Sequence, residues 1–208
     1  MAEISAYTYA NMNLNALKGK LGDLSAAGTT VKCALLTESY VPAQNRHEVF
    51  TAPEWQSGTA YSVGDYVIPS VQNGHIYRCI SPGNSGTGEP SWPTGDGDTV
   101  GDGTVEWECI ANGGLAFHEV EGIGYTSGGQ EILNKIISQA EGVTTFDGDN
   151  VVWPNSTLTA RFAVIYEANT GILLAYQDFG ENKSSSSGSF EIQWNAEGIF
   201  AIAAVQAT

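Results

Sequence analysis

Trp92 stands between Pro90 and Pro93 in the run Gly86-Thr87-Gly88-Glu89-Pro90-Ser91-Trp92-Pro93, which is too rich in Gly and Pro for a helix or an internal strand. A large flat ring held on such a loop is a stacking surface. The apolar face of a pyranose lies on rings of this kind, while carboxylates and amides take the hydroxyls. The same ring would equally anchor a protein interface. Tyr61 and Trp55 are the aromatics that would extend the platform. Core packing is the competing use: Trp55, Tyr61, Tyr77 and Trp107 are also the residues from which a stretch so poor in aliphatics would build its interior.

Three carboxylates occur in Asp96-Gly97-Asp98-Thr99-Val100-Gly101-Asp102, a Gly-rich run of the kind that supplies oxygen ligands to Ca²⁺. The run lacks the loop length and the closing bidentate Glu of an EF-hand, so a solvated turn is expected. His47, His75 and His118 are scattered, and no Cys-x-x-Cys or His-x-x-x-His spacing occurs. No metal and no cofactor are expected. There is no Gly-x-Ser-x-Gly elbow, the Gly-rich Gly122–Gly129 segment contains no Lys for a phosphate loop, and no pair of acids is singled out for glycoside hydrolysis. The expectation is a protein that is not an enzyme.

The elements that must position these residues follow from composition. The chain has 208 residues, of which 42% are hydrophobic and only 15% charged, enough apolar content to build a core and too little charge for a disordered chain. Gly and aromatic residues favour strands and turns over helices. With 23 acidic and 8 basic residues the net charge is −15, which repels nucleic-acid phosphates and anionic lipid. Neither nucleic acid nor membrane is expected as a partner. No apolar run is long enough to span a bilayer, and Met1-Ala2-Glu3-Ile4 does not open a secretory signal. Synthesis in a cytoplasm is the expectation. Cys33 reads as a buried strand residue; Cys79 and Cys109 read as core thiols or as a pair facing each other across a sheet.

Leu14, Leu17, Leu21 and Leu24 predict a short helix over Asn13–Leu24, capped by Asn13 and ended near Gly22. Thr30–Thr37 predicts a buried strand. From Pro53 to Asn112 the texture changes: this stretch holds 10 of the 25 Gly, three of the five Trp, and eight acids against one base, Arg78. It predicts a small all-β module, residues 53–112, inserted into a base domain made of 1–52 and 113–208. Ile132–Ile137 fits either a helix or a strand. Three hairpins are predicted in the base domain, around Asp147-Gly148-Asp149-Asn150, Asn169-Thr170-Gly171 and Asn195-Ala196-Glu197-Gly198. Ser184–Ser187 reads as a flexible polar tract. The fold class expected is mainly β: an antiparallel β-sandwich or jelly-roll-like base domain with a short N-terminal helix and the inserted β module.

Two resemblances sharpen this. Leu17-Lys18-Gly19, Val31-Lys32-Cys33-Ala34-Leu35-Leu36-Thr37, the run Glu119–Gly129, Ala160-Arg161-Phe162-Ala163-Val164-Ile165-Tyr166 and Ile192–Phe200 together resemble a family of small structural proteins of tailed bacteriophages, across Asn13–Phe50 and Glu119–Ala204. Trp55, Tyr61-Ser62-Val63-Gly64-Asp65-Tyr66-Val67, Gly74–Cys79, Gly86–Pro90, Trp92-Pro93 and Asp102–Trp107 resemble the chitin- and cellulose-binding type of small module that recurs in phage proteins. The long loop Ser81–Gly103 departs from the shortest such modules.

The first resemblance implies a virion component, placed in the virion after assembly in a host cytoplasm. The expected role is capsid decoration: a cement protein that binds the major capsid protein and stabilises the head, as a homo-oligomer with a trimer among the symmetries. Tyr7 and Tyr9, in an N-terminal arm Met1–Met12, are the expected capsid contacts. The alternative is a tail or fibre-associated adhesin that binds host or environmental polysaccharide through Trp92, Tyr61 and Trp55.

Overall fold

The structure, a computed structural model, describes residues 6–203. In chain order the elements are β1 (Tyr7–Thr8), α1 (Ala10–Leu17), β2 (Val31–Leu36), β3 (Ala60–Tyr61), β4 (Tyr66–Val67), β5 (Ile76–Ser81), β6 (Gly83–Asn84), β7 (Thr99–Asp102), β8 (Val105–Ile110), β9 (Gln130–Glu131), β10 (Ile136–Ala140), β11 (Val143–Asp147), β12 (Val151–Glu167), β13 (Leu173–Ile192) and β14 (Phe200–Ala203). The protein is mainly β, with several antiparallel sheets and one short helix, in the β-sandwich-like class. It divides into two compact units, residues 1–40 with 119–208, and residues 41–118. The second unit thus begins ahead of the composition change at Pro53 and ends beyond Asn112.

In the first unit, β1, β13, β12, β2 and β9 form a five-stranded sheet in that order, and β10, β11 and β14 form a three-stranded one; every pairing is antiparallel. Cys33, Leu35, Ile165 and Leu174 of the larger sheet share one core with Phe146 and Phe200 of the smaller, and with Trp153 and Phe190. Two sheets burying one face each against a common core is the sandwich arrangement. The β12–β13 turn is held by Glu167, whose carboxylate accepts the N–H groups of Asn169 and Thr170, both at 2.9 Å, and the Thr170 hydroxyl at 2.6 Å.

A second carboxylate, Glu119, fixes the Gly-rich loop. It accepts the Tyr125 hydroxyl at 2.5 Å, the Gly128 N–H at 2.7 Å and the Ser127 hydroxyl at 2.7 Å. Gly129, at φ +69°, passes so close to β2 that a Cβ there would lie 2.0 Å from the Cys33 carbonyl oxygen. Only Gly fits.

Local signals misplace several elements. The helix begins and ends earlier than the leucine spacing predicts, because Gly19 (φ +67°) turns the chain left-handed after Leu17. Its buried residues are Met12 and Asn15, while Leu14 and Leu17 are exposed. Asp147–Asn150 is a corner rather than a hairpin: β11 pairs with β10 and β14, and β12 pairs with β13 and β2. Asn195–Gly198 closes a tight turn, but β13 and β14 then lie in different sheets. Ser184–Ser187 belongs to β13 and pairs with β12 around Leu158–Ala160. A strand exposed on its outer half needs backbone partners, not apolar side chains, so its polarity is no mark of a loop. Ile132–Ile137 resolves as a buried Ile132 followed by the start of β10.

In the second unit, β4, β5, β8 and β7 form a four-stranded sheet and β3 pairs with β6. Val67, Tyr77, Cys79, Val105, Trp107 and Cys109 form its core, with Trp55, Tyr61, Trp92 and Val100 packed on it. An ion-pair chain ties the unit's first residues to the sheet: Arg46 to Asp96 (3.1 Å) and Glu108 (2.9 Å), and Arg78 to Glu108 (2.7 Å) and Glu48 (3.3 Å). Tyr77 pairs with Cys109 and Cys79 with Trp107, so the two cysteines are diagonal neighbours on one face. Both are free and buried, as is Cys33.

Candidate functional site

The three aromatics singled out as a platform converge on Trp107. This indole is fully buried at the centre of β8. The Tyr61 ring meets it edge-on at 4.8 Å, and the Trp92 ring lies at 6.1 Å and 64°. Trp55, Tyr61 and Trp92 are each half-buried, so each keeps part of its surface in solvent.

Trp92 is not a free ring on a loop. It packs on Tyr77 with centroids 4.3 Å apart, and its Nε1–H donates to Glu89 Oε1 at 2.8 Å. Glu89 also accepts the Ser70 N–H at 2.8 Å and the Ser70 hydroxyl. Burial opposes ionisation of Glu89, but the donors from Ser70 and Trp92 outweigh it and hold the carboxyl below its usual range. The Tyr77 hydroxyl donates to the Pro93 carbonyl at 2.7 Å and accepts from Asn73 Nδ2 at 2.9 Å, which fixes the chain beside Trp92.

The acidic run is not a solvated turn throughout. Asp102 is buried, and its carboxylate accepts Trp55 Nε1–H at 2.7 Å, Trp107 Nε1–H at 3.1 Å and the Gly86 N–H at 2.7 Å. Asp96 accepts from Arg46 and from the Ala111 N–H. Thr99–Asp102 is itself a strand, joined to β8 through Gly103 at φ +62°. Asp-Gly between two strands is a hairpin signal, and it marks both β7 and the placement of Asp102. Among the described residues no group of three or more His, Cys, Asp or Glu is arranged to hold a metal ion.

The expected capsid contacts separate. Tyr9 is 1% exposed; its hydroxyl lies 2.6 Å from that of Tyr40, and its ring packs on Tyr176. It faces inward, because β1 lies along β13 and α1 starts directly after it. Tyr7 is 51% exposed and packs one side on Tyr176. Of the arm, residues 1–5 lie outside the described residues.

All three histidines fall in the second unit and none lies on the aromatic platform. His47 Nε2–H donates to the Ala111 carbonyl at 3.0 Å, and His75 Nδ1 accepts the Asn112 N–H at 3.0 Å. Burial lowers the pKa of all three, that of His47 to about 4.

What the platform offers chemically is partial ring faces next to the carboxylates Glu89 and Asp102, both already engaged. No family model matches the chain, and no curated protein or solved structure does.

Proposed function

We propose that the chain is a structural protein of a tailed-bacteriophage virion: a decoration protein that binds the major capsid lattice as a homo-oligomer and stabilises the head, with residues 41–118 as the module presented outward. It acts through buried contact area rather than turnover. Binding the assembled shell and not its dissociated parts adds to shell stability by linkage.

The observation that favours this reading is the internal engagement of the aromatics. Trp92 is tied to Tyr77 and Glu89, and Trp55 and Trp107 are tied to Asp102. Such a module engages its aromatics with its own residues, which suits display. Tyr7, the exposed residue of the pair at the N-terminal side, is the capsid contact retained in this reading.

Gold-labelled antibody on intact virions tests the proposal by electron microscopy. Label over the whole head in many copies is expected. Label confined to the tail or its tip overturns it.

A second reading, an adhesin that binds a host surface polysaccharide, is favoured by the shared partial exposure of Trp55, Tyr61 and Trp92 around Trp107. Binding on a glycan array that is lost in Trp92→Ala while the fold persists would promote it.

A further inference from the structure

All three histidines of the chain hold one stretch of backbone, Ala111–His118, which closes the second unit after β8. His47 Nε2–H donates to the Ala111 carbonyl at 3.0 Å, and the Asn112 N–H donates to His75 Nδ1 at 3.0 Å. His118 is the last residue of the stretch, and its ring bonds the Gly74 backbone. Between these points the Gly114 N–H bonds the Gly74 carbonyl at 3.3 Å and the Ala116 N–H bonds the Phe50 carbonyl at 3.1 Å.

The bond to His75 fixes the place of a proton. A backbone N–H only donates, so His75 Nδ1 is bare and the neutral ring carries its hydrogen on Nε2. A second proton has one site left, Nδ1, and there it meets the Asn112 N–H. The acceptor becomes a donor, so the bond is lost rather than weakened. His75 is half-buried, and solvent reaches part of it without prior unfolding.

The charges around the trio oppose protonation more than they favour it. His118 lies close enough to His47 and to His75 for their charges to repel. His47 also faces Arg46, which opposes its charge, and Asp96, which favours it. Asp96 is already engaged by Arg46 and by the Ala111 N–H. Glu48, next in sequence to His47, is paired with Arg78, and Glu108 with both arginines. Burial acts against the charged form of all three rings.

We propose that Ala111–His118 is an acid-released strap: the three histidines hold it closed at neutral pH, and a proton on His75 Nδ1 opens it while the sheet of β4, β5, β8 and β7 stays folded. The open form exposes Leu115, which the closed form buries completely. The inference is independent of the virion reading and survives its failure.

Amide hydrogen exchange followed by NMR on the full chain, corrected for the intrinsic effect of pH, tests it. A strap that cannot hold the second proton while closed opens about tenfold more for each pH unit below the ordinary histidine value of about 6.5. The Asn112, Gly114 and Ala116 amides are expected to lose at least about tenfold in protection between about pH 7 and about pH 5. At the lower pH they are expected to exchange faster than the Cys79 and Cys109 amides, which bond the Asp65 and Asp98 carbonyls inside the sheet at 2.8 Å. His75→Asn places a non-titrating acceptor, Oδ1, where Nδ1 stands, and is expected to shrink the strap's loss at least about threefold. The imidazole nitrogens supply a measurement that needs no variant: at neutral pH their NMR shifts are expected to show His75 as the Nε2–H tautomer. Strap amides that keep their protection, that exchange no faster than those of Cys79 and Cys109, or that respond undiminished in His75→Asn overturn the proposal, as does an Nδ1–H tautomer at His75.

Discussion

Trp55 and Trp107 donate their indole N–H groups to one oxygen, Asp102 Oδ2, at 2.7 and 3.1 Å. The second oxygen of the same carboxylate takes the Gly86 N–H at 2.7 Å. A buried acid in β7 thereby joins the loop before β3, the loop after β6 and the core of β8.

Removing that acceptor strands three donors in or near the core. Asp102→Ala is expected to destabilise residues 41–118 by about 3 kcal/mol, since a buried donor left without a partner costs about 1–3 kcal/mol and some of these regain water. Asp102→Asn keeps one acceptor oxygen and should lose about half as much. Urea unfolding followed by tryptophan fluorescence measures both. A variant within 0.5 kcal/mol of wild type, about the spread of neutral surface substitutions, would show the carboxylate to be dispensable.

Acid should weaken the same unit in two stages. His47 is fully buried, and burial pushes its pKa down to about 4, against an ordinary value of about 6.5. Between those values the unfolded chain binds the proton and the folded chain does not. Stability is therefore complete above about pH 6.5 and falls as pH drops toward 4, by at most about 3 kcal/mol. His75 and His118, also lowered by burial, act in the same direction. At lower pH the carboxylates follow. Burial works against ionisation of Asp96 and Glu108, but Arg46 and the Ala111 N–H at Asp96, and Arg78 and Arg46 at Glu108, outweigh it and keep both pKa values low. Their contribution is present above the ordinary carboxylate range and is lost as pH falls through the folded values. The denaturation midpoint is expected to drop between pH 7 and pH 4.5 in wild type and to drop less in His47→Gln. Equal midpoints at both pH values in wild type would contradict the account.

Trp92→Ala separates the two uses of that ring. As a packing residue on Tyr77 it should cost about 2 kcal/mol when truncated, less than the 3–5 kcal/mol typical of a fully buried Trp. Calorimetry on the full chain reads this directly. A melting temperature unchanged from wild type would mean that the ring's contacts do not stabilise the unit.

Gly129→Ala should damage the first unit severely. The new methyl meets the Cys33 carbonyl, and the left-handed backbone adds its own strain. Loss of more than about 3 kcal/mol, or failure to accumulate soluble chain, is expected. Gly28→Ala, where a Cβ meets open space, is the control. If the two variants melt alike, the close approach is not a constraint.

Local turn chemistry and burial reveal part of this fold. The β12–β13 hairpin is legible because Asn169-Thr170-Gly171 lies between two long apolar runs that pair with each other. Asp147–Asn150 has equally good turn residues, yet the strands on either side choose other partners; a turn signal reports a reversal of the chain and says nothing about which strand lies alongside. The convergence of Trp55, Tyr61 and Trp92 follows from the aromatic content of a stretch with few aliphatics. The role of Asp102 does not, since its neighbours Asp96 and Asp98 have the same local composition and only the register of β7 on β8 turns Asp102 inward. Tyr7 and Tyr9, two residues apart, differ because Tyr7 lies in β1 while Tyr9 caps α1 and turns inward.

Leu36 and Glu119 form an antiparallel bridge, and the Val120 N–H bonds the Leu35 carbonyl at 3.0 Å, so the first unit needs two chain positions that are separated by all of residues 41–118. In an unfolded chain the entropy of closing a loop rises with the logarithm of its length. Within the second unit the Ala116 N–H bonds the Phe50 carbonyl at 3.1 Å, so folding of that unit brings its own ends together. The expected order of events is that residues 41–118 fold first on local sheet contacts, which leaves β2 only a short loop to close. In stopped-flow refolding, a variant that slows the second unit, such as Asp102→Ala, is expected to delay the burial of Trp153 in the first. Refolding of Trp153 at the wild-type rate in that variant would break the link.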